Sequence, residues 1–159
     1  MNIVIVGSGK VGFTLAEQLA REEHDITIVD SSEDTLRRAG DQLDIMTVQG
    51  NGVSSATLRE AGAAGADLLV AATNSDEVNM VCCLTAKNLG TKYTIARIRN
   101  PEYTASVAEL RRNLKIDMVI NPENSTAVEI SRLLRFPAAA NIETFCRGKV
   151  ELMGFRLQE

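Results

Sequence analysis

A glycine-rich turn near the start of the chain limits the possible folds more than any other feature of the sequence. An apolar segment, Asn2 to Val6, runs directly into Gly7-Ser8-Gly9-Lys10-Val11-Gly12, and a helical pattern extends from Lys10 to Glu22. In such an arrangement the first glycine permits a tight turn, the second lets the backbone approach a pyrophosphate, and the third lets the helix pack closely on the sheet. The segment is therefore predicted to bind phosphate through main-chain amides at the helix start.

An acidic residue at the end of the second apolar run supports this interpretation. Asp30 follows the glycine turn by about 20 residues, where a carboxylate can accept hydrogen bonds from ribose hydroxyls. The next residues, Ser31 to Asp34, include no arginine to hold a 2′-phosphate, and the carboxylate would repel one. The sequence therefore favours NAD or NADH over NADP. ATP and ADP are the alternative, because their ribose carries the same pair of hydroxyls.

Apolar runs alternate with helical stretches, which is typical of a parallel sheet with helices on both faces. The predicted fold class is α/β: a Rossmann-type doubly wound six-stranded parallel sheet of order 3-2-1-4-5-6. The strands are predicted at Asn2 to Val6, Ile26 to Val29, Asp44 to Val48, Leu68 to Ala72, Tyr93 to Ile98 and Met118 to Ile120. The helices are predicted at Lys10 to Glu22, Glu33 to Ala39, Ser54 to Ala61, Ser75 to Leu89, Glu102 to Leu114 and Glu123 to Arg135.

Serine and glycine residues mark the helix ends in this pattern. Ser32, Ser54 or Ser55, and Ser75 can cap N-termini, because a serine hydroxyl accepts a hydrogen bond from a free amide of the first turn. Gly40, Gly62 and Gly90 are predicted to end helices in the left-handed conformation.

The pattern changes after Pro137. Ile142 to Phe145 and Val150 to Leu157 flank Arg147-Gly148, which predicts a β-hairpin. We expect two parts: residues 1–136 as a Rossmann nucleotide-binding domain, and residues 137–159 as a linker and hairpin leading toward a C-terminal domain that this chain lacks.

Ligands of this architecture bind beyond the carboxyl ends of the strands, so the later strand ends should complete the site. The loop after the third strand is predicted to approach the adenine, and the loop after the fourth to lie near the phosphates or the second ribose. Lys10 can add a positive charge at a phosphate, or it can be a solvated loop lysine. The predicted site residues are Gly7, Ser8, Gly9, Lys10, Val11, Gly12, Asp30, Ser31, Asn51, Gly52, Ala72, Thr73, Asn74 and Arg97.

Arg97 and Arg99 alternate with apolar residues on the fifth predicted strand, so they should share one of its faces. Two arginines in so buried a strand need partners. A phosphate and a carboxylate of a neighbouring subunit are both suitable, and the residues alone leave the choice open.

Composition excludes several classes of protein. The formal net charge is −4 with no cluster of Lys and Arg, which argues against nucleic acid as a partner. No apolar run is long enough to cross a bilayer, so a cytoplasmic location is expected. The cysteines, Cys82, Cys83 and Cys146, show no metal-ligand spacing, and no metal site is predicted.

No catalytic group stands out. The only histidine, His24, falls at the opposite end of the predicted sheet from the glycine turn, and neither Tyr93 nor Tyr103 has a lysine four residues later. No second domain is present to close over a nicotinamide. The chain is therefore predicted not to be an enzyme but to sense its ligand. An NAD-dependent oxidoreductase or enzyme subunit is the first alternative, and a scaffold for protein contacts is the second.

The sequence resembles, over essentially its whole length, the N-terminal nucleotide-binding domain of the TrkA family, known as the RCK or KTN domain. Members of this family are cytosolic regulators of bacterial and archaeal potassium uptake systems and potassium channels. The resemblance rests on Met1 to Gly12, Thr27 to Asp30, Gly50 to Gly52 with Leu58 and Ala61-Gly62, Ala66 to Asn79, Ala96-Arg97, Asn100 to Tyr103, and Val119 to Glu123.

The resemblance implies that NAD(H) or ATP/ADP binds in the crevice and changes how subunits are arranged. Domains of this family dimerise and assemble into a ring beneath a membrane-embedded potassium transporter subunit, so the chain is expected at the inner face of the membrane. The final helix, here about Glu123 to Arg135, would cross to a partner subunit. Glu123 matches a position near the ligand phosphates or an associated cation. Asn51 stands where the family usually has aspartate, which changes the contacts expected for the base.

Overall fold

The computed structural model describes residues 1–105, 107–135, 139–145 and 150–155. The chain divides into two compact units, Met1–Ile120 and Asn121–Glu159. The domain division expected after residue 136 stays a prediction.

The first unit is built on a six-stranded sheet in which each neighbouring pair of strands is parallel. Its strands are β1 (Asn2–Val6), β2 (Asp25–Asp30), β3 (Met46–Gln49), β4 (Leu68–Ala71), β5 (Tyr93–Arg97) and β6 (Met118–Ile120). Their order across the sheet is β3-β2-β1-β4-β5-β6. The predicted fold class and strand order are confirmed.

The central strand β1 shows why the sheet is buried on both faces. Ile3, Val4, Ile5 and Val6 are each at most 2% exposed. Because successive side chains of a strand point to opposite faces, Val4 and Val6 join one apolar cluster and Ile3 and Ile5 join another. Burying a side chain of this size contributes about 1.5–3 kcal/mol, so this one strand anchors both layers of helices.

The helices of the first unit follow the predicted alternation. They are α1 (Lys10–Ala20), α2 (Glu33–Gln42), α3 (Ser55–Glu60), α4 (Asp76–Leu89), α5 (Pro101–Ala105) and α6 (Val107–Leu114), with a short 3₁₀ helix at Ala63–Gly65. Residue 106, between α5 and α6, lies outside the described residues.

The predicted serine caps are confirmed, and one predicted glycine stop is wrong. Ser32, Ser54 and Ser75 precede α2, α3 and α4, and each hydroxyl accepts a hydrogen bond from an amide of the following turn. Gly62 and Gly90 have φ of 79° and 109°, as expected of left-handed residues after a helix. Gly40 instead lies within α2, because the backbone stays helical through Gln42 and the Leu43 amide still bonds to the Ala39 carbonyl.

The described residues of the second unit form a helix and a pair of strands. Helix α7 (Pro122–Arg135) begins with proline, whose fixed φ and missing amide suit the first helical position. Strands β7 (Ala139–Phe145) and β8 (Val150–Phe155) pair antiparallel, as predicted. The predicted Arg147-Gly148 turn lies outside the described residues, as does Cys146. Within the described part of the chain, no helix is both long and apolar enough to cross a bilayer.

Candidate nucleotide-binding site

A cavity of about 530 Å³ opens at the carboxyl ends of β1 to β4, where the strand order reverses between β1 and β4. Ligands of open α/β sheets bind at this kind of switch point, and the volume suits a small molecule. The lining residues are Val6, Gly7, Gly9, Val29, Asp30, Ser31, Gly50, Asn51, Gly52, Ala72, Thr73, Asn74, Ser75 and Val78. A larger cavity of about 630 Å³, beside Lys87 and Asp117, lies at the opposite, amino ends of the strands.

The structure brings most of the predicted site residues together in this lining. Gly7, Gly9, Asp30, Ser31, Asn51, Gly52, Ala72, Thr73 and Asn74 are among the lining residues, whereas Ser8, Lys10, Val11, Gly12, Arg97 and Glu123 are not. The site list from the sequence missed Val6, Val29, Gly50, Ser75 and Val78. Val6 and Val29 could have been predicted from the sequence, because they lie at the carboxyl ends of β1 and β2, where ligands of this architecture bind.

The three glycines of the turn have different surroundings. Gly7 has a φ of 103°, and a Cβ there would lie 2.9 Å from the Thr73 nitrogen. A Cβ on Gly12 would lie 1.9 Å from the Gly7 carbonyl oxygen, so the helix could not approach the turn. A Cβ on Gly9 would meet nothing within 4 Å. Gly7 and Gly12 are thus required by the fold, whereas Gly9 faces the open space of the crevice.

Helix α1 differs from the serine-capped helices at its N-terminus. Its N-cap is Gly9, which provides no side-chain hydrogen bond. The first amides of a helix have no acceptor within the helix, so those of Lys10, Val11 and Gly12 point toward the turn without a capping side chain. Together with the helix dipole, these amides can bind an anion.

Asp30 is held in place by main-chain amides. One carboxylate oxygen, Oδ2, accepts from the Ser8 amide at 2.6 Å, and the other, Oδ1, accepts from the Ser32 amide at 2.9 Å. The carboxylate therefore ties the glycine turn to the start of α2 before any ligand binds. Each oxygen can accept more than one hydrogen bond, so the group can still accept from sugar hydroxyls.

Asn51 and Gly52 shape the wall after β3. The Asn51 side-chain oxygen accepts from the Val53 amide at 3.1 Å, which closes a local turn. A Cβ on Gly52 would lie 2.2 Å from Cγ1 of Val6, so only glycine lets this loop pack against the end of β1. Asn51 is exposed and lines the cavity, as the prediction of an adenine contact requires.

A fully buried asparagine positions the wall after β4. The Asn79 side-chain oxygen accepts from both the amide of Thr73, at 2.9 Å, and its hydroxyl, at 2.7 Å. Its side-chain nitrogen donates to the Thr73 carbonyl at 3.3 Å and to the Arg97 carbonyl at 2.8 Å. Asn79 thus joins the pocket loop to β5. It was not among the predicted site residues, because its spacing on α4 resembles that of an ordinary helical residue.

Arg97 and Arg99 both have hydrogen-bond partners within the chain, and of the two only Arg97 lies on β5. β5 ends at Arg97, which is 7% exposed and donates from Nη1 to the Thr73 carbonyl at 3.2 Å. Arg99 lies beyond the strand and donates from Nη2 to the Asn74 carbonyl. A carboxylate does lie near Arg99, but it belongs to Asp76 of the same chain, 3.7 Å from Nε. The prediction that Arg99 lies on β5 is wrong.

Two further predicted residues are not among the lining residues. Lys10 is exposed on the first turn of α1, and Glu123 is exposed on the first turn of α7 in the second unit. Their predicted contacts with a ligand stay predictions.

Glu77, in the first turn of α4, borders the same wall. Hydrogen bonds from the Ser75 hydroxyl and the Tyr103 hydroxyl, both 2.7 Å long, lower its pKa to about 2. The same contact with the Glu77 carboxylate raises the pKa of Tyr103. Ser75 lines the cavity, so the hydrogen bonds of Glu77 connect the cavity wall to α5.

The histidine and the described cysteines are not among the residues that line the cavity. His24 precedes β2 at the amino end of the sheet, with Nε2 3.6 Å from a Glu22 oxygen. Cys82 and Cys83 are buried; burial raises the pKa of Cys82 to about 12 and raises that of Cys83 as well. Among the described residues, no three His, Cys, Asp or Glu side chains are grouped as metal ligands.

Comparison with known sequences agrees with this geometry. The family model for the TrkA-N domain matches residues 3–122. The chain belongs to the TrkA-N domain family. It is 44% identical over 156 residues to the Trk system potassium uptake protein TrkA of Haemophilus influenzae, covering 96% of this chain and 34% of the relative. It is 43% identical over 159 residues to the TrkA protein of Vibrio alginolyticus, covering 98% and 35%. This TrkA-N chain thus spans about a third of the length of these relatives.

Solved structures with the same fold contain nucleotides. The GsuK channel bound to NAD has a TM-score of 0.64 and 25% identity, covering 75% of this chain and 21% of that one. The GsuK structure bound to ADP has the same score and identity, covering 76% and 31%. The neighbours therefore include both classes of nucleotide that the sequence predicted, a dinucleotide and an adenosine phosphate.

Proposed function

We propose that this TrkA-N domain is the nucleotide-sensing part of a regulator of potassium uptake, with NAD(H) or ATP/ADP as the signal. The observation that carries the proposal is the pairing of two features in one cavity. Helix α1 begins without a side-chain cap beside Gly9, whose surroundings are open, and Asp30 is fixed at the next strand tip. The names of the relatives and the nucleotides in the GsuK structures support the same function.

The proposed ligand pose follows from these positions. The diphosphate lies at the amides of α1, the ribose hydroxyls bond to Asp30, and the adenine lies beside Asn51. NAD(H) is favoured over NADP because a 2′-phosphate would face the Asp30 carboxylate. Lys10 and Arg97 are proposed to contribute positive charge near the phosphates.

Regulation requires that the ligand favour one arrangement of the subunits over another. A ligand shifts such an equilibrium only by the difference between its affinities for the two states, and a shift from 1:99 to 99:1 needs about 5.5 kcal/mol. We propose that homo-oligomers of this domain, including contacts near Glu123 on α7, supply the two states. Through a membrane-embedded potassium transporter subunit at the inner face of the membrane, they would open or close the ion path without turnover of the nucleotide.

Titration calorimetry with NADH, NAD, ADP, ATP and NADPH tests the proposal. NADH or ADP should bind and NADPH should bind more weakly. Asp30→Ala should lower the affinity for NADH and ADP alike by about 1–3 kcal/mol through lost ribose hydrogen bonds. The matched control is Asp44→Ala, an exposed acid at the amino end of β3. Equal effects of the two substitutions would remove Asp30 from the site, and no binding by the native chain would overturn the proposal.

Turnover is measured on the same samples. NADH absorbance should stay constant on incubation with hydroxy and oxo substrates, since no proton-transfer group lines the described cavity apart from the Asp30 carboxylate. Oxidation of NADH dependent on such a substrate would favour the oxidoreductase instead.

A further inference from the structure

Arginine side chains from the end of β5 and from the segment after it contact the loop after β4. Arg97 donates to the Thr73 carbonyl, and Arg99 donates to the Asn74 carbonyl. Thr73 and Asn74 line the cavity. The carboxyl ends of β4 and β5 are thus bridged directly beside the crevice, and we call the contact between Arg99 and Asn74 the Arg99 bridge.

The bridge lies where a long ligand would have to pass. A dinucleotide extends across the switch point of such a sheet, with one nucleoside on each side. The cavity walls come from the ends of β1 to β4 and the start of α4. Asp30 and Asn51 lie on the side formed by the ends of β2 and β3. An adenosine phosphate needs only that side and the α1 amides. The second nucleoside of a dinucleotide must continue past Asn74 toward β5, where Arg99 lies.

The two parts of Arg99 are held differently. Its main-chain amide and that of Asn100 both donate to Oδ2 of Asp76, each at 2.8 Å, and Asp76 is 7% exposed. Its side chain is 42% exposed and makes the bridge and a 3.7 Å ion pair with Asp76. The guanidinium is therefore the more exposed part of Arg99, whereas the backbone amide is held by a buried carboxylate.

Resting on the proposed function, we infer that the Arg99 bridge distinguishes the two classes of nucleotide: ADP or ATP binds with the bridge closed, whereas NAD(H) must open it. The consequence reaches beyond the pocket. The Asn100 amide donates to the same Asp76 carboxylate as the Arg99 amide. The Asn100 side-chain oxygen accepts from the Glu102 amide at 2.9 Å, at the start of α5. Opening the bridge also removes the ion pair between the Arg99 guanidinium and Asp76, so one of the contacts at the junction of α4 and α5 is lost with NAD(H) and kept with adenosine phosphates. One pocket can thereby report two different signals.

The first test compares affinities in variants of the full chain. Arg99→Ala removes the bridge and keeps the backbone contacts of Asp76, so NADH should bind about three- to tenfold more tightly, since it no longer breaks a charge-assisted hydrogen bond. The affinity for ADP should stay within about twofold. The control is Arg112→Ala, an exposed arginine of α6, which should change neither affinity.

The second test needs no substitution. Amide hydrogen exchange at Arg99 and Asn100 should be faster in the NADH complex of the native chain than in the ADP complex, because the Asp76 carboxylate that accepts from both amides loses its ion pair with the guanidinium only when the dinucleotide binds.

Three results would overturn the inference about the Arg99 bridge. A loss of NADH affinity in Arg99→Ala would mean that Arg99 contacts the ligand, and an unchanged ratio of NADH to ADP affinity would mean that the bridge does not discriminate. Equal exchange rates in the two complexes would also overturn the inference. Each of these results leaves the proposed function in place. If neither nucleotide binds the native chain, the proposed function and the inference both fail.

Discussion

Gly9→Ala should separate nucleotide binding from folding. Gly9 has φ of −70° and ψ of −175°, a conformation open to alanine, and its Cβ would meet nothing within 4 Å. Alanine is a poorer N-cap than glycine, whereas a smaller entropy of the unfolded chain offsets this by about 0.4–1 kcal/mol. The free energy of unfolding should therefore change by less than about 1 kcal/mol.

Nucleotide affinity should change far more. The new methyl group would occupy the space through which a diphosphate reaches the α1 amides. Losing one hydrogen bond between an amide and a charged phosphate removes about 1.5–3 kcal/mol, and 1.4 kcal/mol corresponds to a factor of ten. The Kd for NADH or ADP should thus rise by at least about tenfold.

Urea unfolding and titration calorimetry on the same preparations provide the measurement. The matched control is Gly65→Ala, at the end of the 3₁₀ helix, where a Cβ also meets nothing within 4 Å. The control should keep both stability and affinity. Native affinity in Gly9→Ala would refute the assignment of the phosphate position, and destabilisation by more than about 2 kcal/mol would refute the reasoning about the cap.

Three further outcomes follow from the described contacts. Leu58→Ala should lower the free energy of unfolding by about 2–5 kcal/mol in a urea titration, because Leu58 is fully buried in the core; a loss below about 1 kcal/mol would contradict that packing. Cys82, with its pKa raised to about 12 by burial, should resist alkylation in the native chain and react after unfolding, as peptide mass spectrometry can show. Tyr103→Phe should raise the pKa of Glu77 from about 2 toward the ordinary value of 4.5 for a glutamate, read from an NMR titration of the carboxyl carbon. Because the folded pKa is depressed, the stabilisation from Glu77 is complete above about pH 4.5 and is lost as the pH falls through about 2; an unchanged pKa in Tyr103→Phe would exclude the hydrogen bond in solution.

Much of the fold could be predicted from the sequence because its signals are local. Strands buried on both faces appear as continuous apolar runs, and each of the six predicted strands overlaps an observed one. The glycine turn and Asp30 were identified because their spacing has a direct steric and electrostatic reason. Gly40 was misassigned because a glycine in a sequence can end a helix or continue it, and only its φ distinguishes the two.

The tertiary structure alone decided the contacts between distant segments. Asn79 reaches Arg97 across 18 residues, and Asp76 reaches Arg99 across 23, through hydrogen bonds that no periodicity encodes. The sequence showed that buried arginines need partners, but not that backbone carbonyls of the pocket loop would be among them. Side-chain chemistry and spacing thus determined which groups could hold a nucleotide. Packing of β4 against β5 determined which of those groups are already engaged, because hydrogen bonds form between atoms that the fold brings within about 3 Å.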